Sequence, residues 1–99
     1  MAYEIKQSKL FLIRITKLLE YLEENWSKKI ADEFKEKMDK RILRLLKTPN
    51  IGKDCNKVLN VKRLVVTKHN KLYYRIKGNT NYIITLFDTK QNQRKNKYE

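Results

Sequence analysis

The sequence is poor in the residues that most metal and cofactor sites require. Its 99 residues include one cysteine, one histidine, one proline and two glycines. A single cysteine excludes a disulfide framework, and one cysteine with one histidine excludes a zinc finger. Two glycines leave nothing for a glycine-rich phosphate loop. Long apolar runs are missing too. The longest is Leu10 to Ile13, far short of the ~18–20 residues of a membrane span and too short for a signal-peptide core as well. Acidic side chains are scarce, 11 against 24 Lys and Arg, which leaves a net charge of +13. What is present is a hydrophobic content of 40%, enough to exclude compositional disorder. We therefore expect one small domain over residues 1–99, in a reducing, cytoplasmic setting, with no metal, no cofactor and no membrane partner.

The charge is uneven along the chain. Residues 1–50 carry 12 basic and 8 acidic side chains, whereas residues 51–99 carry 12 basic and 3 acidic ones. Mixed signs suit a solvated helical surface. A half with one dominant sign points to a polyanionic partner.

Periodicity divides the chain into a strand, two helices and three strands. Ala2 to Gln7 alternates and predicts a half-buried strand. Ser8 supplies a cap. Phe11, Ile15, Leu18 and Leu22 then recur at helical spacing from Lys9 to Glu24, with Leu12 and Leu19 alongside. Ser27 caps a second helix with a stripe of Ile30, Phe34, Met38, Ile42, Leu45 and Leu46. So short a link between helices predicts an antiparallel hairpin, with Trp26 as its plug. Thr48-Pro49-Asn50-Ile51-Gly52 ends it, the glycine being read as a positive-φ turn residue, and the stretch to Asn60 reads as loop. Val61–Lys68, Lys71–Lys77 and Asn81–Asp88 are rich in β-branched and aromatic residues and predict an antiparallel meander. The expected fold is α+β, with the helical hairpin on one face of the sheet and the first strand on one edge.

Alternation in the third strand sends Leu72, Tyr74 and Ile76 to one face and Lys71, Tyr73, Arg75 and Lys77 to the other. In the second strand, Arg63 takes the face opposite Lys62, Leu64 and Val66. If the hairpin covers one face, the other is expected to be open, basic and set with tyrosine. Such a face suits RNA, with cations on phosphates and a phenol ring on a base.

The order of elements and several phrases resemble the RelE/ParE superfamily of bacterial type II toxins. Asn25-Trp26-Ser27, Thr48-Pro49-Asn50-Ile51-Gly52, Lys71-Leu72-Tyr73-Tyr74-Arg75-Ile76 and Leu86-Phe87-Asp88-Thr89-Lys90-Gln91-Asn92 are each similar to a recurring family segment, together spanning nearly the whole chain. The resemblance implies a toxin silenced by a cognate antitoxin with an acidic amphipathic segment. It leaves two targets open. RelE-like members cut mRNA on the ribosome without a metal, and ParE-like members poison DNA gyrase without cutting anything. A third alternative is an antitoxin-binding module that has lost toxicity.

For the nuclease reading, the resemblance implies cations and a proton carrier around the scissile phosphate. The candidate catalytic residues are Arg63, Lys71, Lys90 and Tyr98, with Lys62, Lys68, Tyr73, Arg75 and Arg94 as RNA contacts. Lysine stands at 71 and 90, where family members often carry arginine, and so offers a point charge instead of a bidentate clamp. Asp88 stands where several nuclease members have histidine, and is expected to bond the turn or pair with Lys90. His69, an acid–base candidate by its intrinsic pKa, falls in a predicted turn, where exposure is the simpler expectation. Cys55 has no partner histidine near it in sequence and is read as incidental.

Overall fold

The computed structural model describes residues 3–55 and 57–88. Residues 89–99, which the sequence reads as a basic C-terminal tail and which include Lys90, Arg94 and Tyr98, lie outside the described residues. The elements run in the order β1 (Glu4–Gln7), α1 (Lys9–Asn25), α2 (Lys28–Leu43), 3-10 turns at Arg44–Leu46 and Pro49–Ile51, β2 (Lys53–Asp54), β3 (Val61–Thr67), β4 (Asn70–Lys77) and β5 (Thr80–Asp88).

The helix starts form as their caps predict. The Ser8 hydroxyl accepts from the Phe11 N–H at 2.9 Å and donates to the Ile84 carbonyl, so one side chain starts α1 and ties it to β5. The Ser27 hydroxyl accepts from the Ile30 N–H at 3.1 Å and starts α2. Both hairpin turns of the sheet are two residues long, Lys68-His69 and Gly78-Asn79. Gly78 has φ +61°, the conformation that a type II′ turn needs at its first central position.

The five strands lie in the order β1-β5-β4-β3-β2. β3, β4 and β5 are the expected antiparallel meander. β1 pairs with β5 in parallel, with Ile5 beside Asn81, so the sheet is mixed. The long passage through both helices permits that direction. The two-residue β2 was not expected. It pairs with β3 through Lys53–Arg63 and Asp54–Lys62, inside the stretch that reads as loop.

The main core lies between the hairpin and one face of the sheet. Phe11, Ile15, Met38, Ile42 and Leu45 pack on Leu64, Val66, Leu72, Tyr74, Ile83 and Leu86. Asn81 is fully buried beside it, and its amide donates to the carbonyls of Glu4 and Leu45, joining β1 to the first 3-10 turn. Trp26 corrects the sequence reading: it is 70% exposed and plugs nothing. The Trp26-Ser27 link is too short to bend an indole back between the helices.

The sequence predicts an open second face, but part of that face is covered. Val61, Tyr73 and Phe87 are buried there, with Cys55, Val58 and Ile84 packed against them. The backbone folds this loop under the sheet, through a bond from Cys55 N–H to the Val61 carbonyl at 2.9 Å. A bulge supports the second cluster. Tyr73 pairs with Thr85 and Tyr74 with Ile83, leaving Ile84 as the extra residue. The extra residue shifts the alternation of β5. Ile83 and Leu86, three apart, thus both reach the main core, while Ile84 and Phe87 both reach the second.

Candidate functional site

The structure divides the sequence-derived candidates among different surfaces. Lys62 lies on the helix side of β3, with Tyr74 as its neighbour in β4. Its Nζ is 2.8 Å from Asp54 Oδ1. This cation already has an anion and points away from Arg63. Arg63 and Lys71 do share the second face: Arg63 pairs with Tyr73, and Lys71 sits between Val65 and Phe87. Both are half-buried.

Lys68 and His69 occupy the β3–β4 turn and are exposed. Thr67 organises that turn. Its hydroxyl donates to Asn70 Oδ1 at 2.8 Å and accepts from the His69 N–H at 3.2 Å. His69 is thus held by its backbone, and its side chain is exposed. Asp88 ends β5, half-buried.

Tyr73 requires a correction. Its side chain is completely buried in the second apolar cluster, so it presents no ring on which a base can stack. Cys55 is half-buried against the same cluster. Among the described residues, no group of three His, Cys, Asp or Glu is placed to hold a metal ion.

Arg75 is the candidate whose surroundings the sequence concealed. In the same lateral row of the second face stand Lys6, Tyr82, Arg75 and Val61, one from each of β1, β5, β4 and β3. Asn60, Arg75, Ile76, Lys77 and Tyr82 line an open hollow of about 590 Å³ there. Neither Lys6 nor Tyr82 stands out in sequence, because only the parallel register of β1 against β5 brings them together.

Two apolar surfaces complete the picture. On the hairpin, Leu10, Ile13, Tyr21, Trp26 and Ile30 are each more than two-fifths exposed. Beside the edge strand β1, a second open cleft of about 450 Å³ is lined by Ile5, Ile42, Leu43 and Leu46, with Gln7 and Asp39.

The segment after the hairpin is fastened to the sheet by one phenol. The Tyr74 hydroxyl donates to the Pro49 carbonyl at 2.7 Å and accepts from the Gly52 N–H at 2.9 Å. Burial raises its pKa above the ordinary tyrosine value; the Gly52 bond and Lys62 pull it down, and Asp54 pushes it up again. The glycine is there for space. Gly52 has φ −74°, an ordinary value, but a Cβ would lie 2.7 Å from both the Arg63 carbonyl oxygen and the Tyr74 hydroxyl. The sequence expectation of a positive φ is therefore replaced by close backbone approach.

The sequence model described as ParE toxin of the type II toxin–antitoxin system parDE matches residues 5–93. The chain belongs to the ParE toxin family. Among solved structures, a chain of the chromosomal ParDE system from P. aeruginosa superposes with a TM-score of 0.75 at 14% identity, over 87% of this chain and 95% of that one. An E. coli toxin RelE mutant in the free state superposes with a TM-score of 0.64 at 12% identity, over 99% and 95%. At those identities the likeness is one of fold. Among curated proteins, no sequence matches the chain. For the ParE-family toxin, the fastening at Tyr74 and Gly52 gives a physical reason for the Pro49-to-Gly52 phrase: the chain must pass within a hydrogen bond of the sheet before turning into β2.

Proposed function

We propose that this ParE-family toxin poisons DNA gyrase by protein contact, without cutting RNA. The observation that carries the reading is the match of residues 5–93 to ParE. The site geometry supports it. Lys62 is paired and faces away from Arg63, Tyr73 is buried, and His69 stands apart in a turn. Among the described residues, these candidates do not converge on one phosphate with a proton carrier beside it. The exposed apolar side chains of the hairpin suit a protein target instead.

A cognate antitoxin is the second partner. The cleft of Ile5, Ile42, Leu43 and Leu46 beside an edge strand suits an added segment with an apolar side. The net charge of +13 favours an acidic one. A second reading, ribosome-dependent mRNA cleavage, draws on Arg63 and Lys71 sharing a face. Inducing the toxin in bacteria, mapping mRNA 5′ ends within minutes and assaying gyrase supercoiling separates the readings. Gyrase poisoning predicts growth arrest with intact messages and inhibited supercoiling. New in-frame cuts in translated messages would overturn it in favour of the nuclease. Normal growth would leave an antitoxin-binding module that has lost its toxicity.

A further inference from the structure

We infer that the Tyr82 hollow is a binding site for single-stranded nucleic acid, in which one base stacks on Tyr82 and the flanking phosphates meet Lys6, Arg75 and Lys77. The inference does not depend on whether gyrase or mRNA is the toxin's target.

The argument begins with register. Lys6 and Arg75 flank Tyr82 on the adjoining strands, so their backbones stand about 10 Å apart across the ring. Lys77 lies one row further along β4, paired with Thr80, which is itself paired with Glu4. Lys6, Arg75 and Lys77 are exposed. Glu4, also exposed, is the acid that shares this part of the face. Among the described residues, Arg75 and Lys77 in the lining and Lys6 across the Tyr82 ring thus stand against one carboxylate, an arrangement that attracts an anion.

The aromatic ring narrows the choice of anion. Tyr82 is half-buried, so part of it remains accessible. The Lys6 ammonium lies over it at 5.9 Å from the centroid, at the outer limit of cation–π attraction, and is free to turn towards a phosphate. An acidic peptide satisfies the cations but leaves the ring unused. A nucleotide satisfies both, because every base has a stacking face and carries its phosphate within reach. The volume of about 590 Å³ falls within the usual range of small-ligand sites. The surroundings are also fixed. Arg75 and Tyr82 lie in paired strands, and Asn60, at φ +64°, turns the chain into β3 at the rim.

The test is fluorescence anisotropy with a labelled oligothymidylate of about eight nucleotides, titrated with the full-length toxin at several salt concentrations. Tyr82→Leu is expected to weaken binding about ten-fold or more, whereas Tyr82→Phe retains it. Arg75→Gln is expected to weaken binding and to lower the salt slope by about 0.7. Lys28→Gln with Lys29→Gln, on the distant start of α2, is the control for charge alone. If that pair weakens binding as much as Arg75→Gln with Lys77→Gln, the attraction is diffuse and the site is refuted. Equal binding by wild type and a folded Tyr82→Leu refutes stacking. Competition by polyglutamate that depends on Arg75 but not Tyr82 would assign the hollow to an acidic protein and overturn the proposal. Arg75→Gln with Lys77→Gln alters exposed side chains only, so it keeps the test decisive if Tyr82→Leu disturbs the sheet.

Discussion

Removing the Tyr74 hydroxyl tests the link between the post-helical segment and the sheet. Tyr74→Phe keeps the buried ring and its volume, so the apolar packing is nearly conserved. It deletes the donor to the Pro49 carbonyl at 2.7 Å and the acceptor for the Gly52 N–H at 2.9 Å. A typical hydrogen bond contributes about 1 kcal/mol net, and a polar group left buried without a partner costs about 1–3 kcal/mol. Two backbone groups lose their partner here, in surroundings that are partly and fully buried. We therefore expect a loss of about 2–3 kcal/mol. Urea unfolding should show the midpoint falling by about 1–2 M with the slope unchanged. Gly52→Ala sharpens the test, because its Cβ would strike the Tyr74 hydroxyl and the Arg63 carbonyl oxygen at 2.7 Å. In the Tyr74→Phe background the hydroxyl is gone, while the ring carbon Cε1 at 2.8 Å and the Arg63 carbonyl oxygen at 2.7 Å remain, so the relief is partial. The second substitution should then cost less than it does alone, a coupling that a double-mutant cycle measures. A Tyr74→Phe loss below about 0.5 kcal/mol, or strict additivity with Gly52→Ala, would refute this account of the fastening.

The same phenol predicts an alkaline limit. Its folded pKa lies above the ordinary 10.0, so its contribution to stability is complete below pH 10.0 and is lost as pH rises through the folded value. The wild type should lose stability above pH 10.0 more steeply than Tyr74→Phe does. Ser8→Ala removes a helix cap and a tie to β5 together, and should cost about 1–2 kcal/mol, seen as a lower Tm. Asp54→Asn should cost less than about 1 kcal/mol in urea unfolding, because the Asp54 side chain is 82% exposed and its pair with Lys62 is screened. Trp26→Ala should change stability by less than about 0.5 kcal/mol, since the indole is 70% exposed. If the hairpin carries the target contact, Trp26→Ala weakens growth arrest; undiminished arrest would place that contact elsewhere.

Local signals determined the element order of this toxin. Ser8 and Ser27 cap the helices because a side-chain oxygen can meet an N–H three residues on, with no help from the rest of the fold. The apolar stripe from Phe11 to Ile15 and from Met38 to Leu45 is likewise legible, since helical spacing alone puts those residues on one face. Gly78 and the β-branched runs marked the meander in the same way. Tertiary structure decided everything that depends on register. Two residues at Lys53–Asp54 are too few to carry a strand pattern, and only β3 makes them a strand. A bulge at Ile84 is invisible to a period of two, yet it supplies the second cluster that buries Tyr73. Strand alternation already set Lys62 and Arg63 on opposite faces, but only the pairing with Asp54 takes Lys62 out of the site. Lys6 and Tyr82 are 76 positions apart, and they meet because β1 runs parallel to β5. Composition made the chain basic, but the pairing of distant strands selected which cations stand together around an aromatic ring.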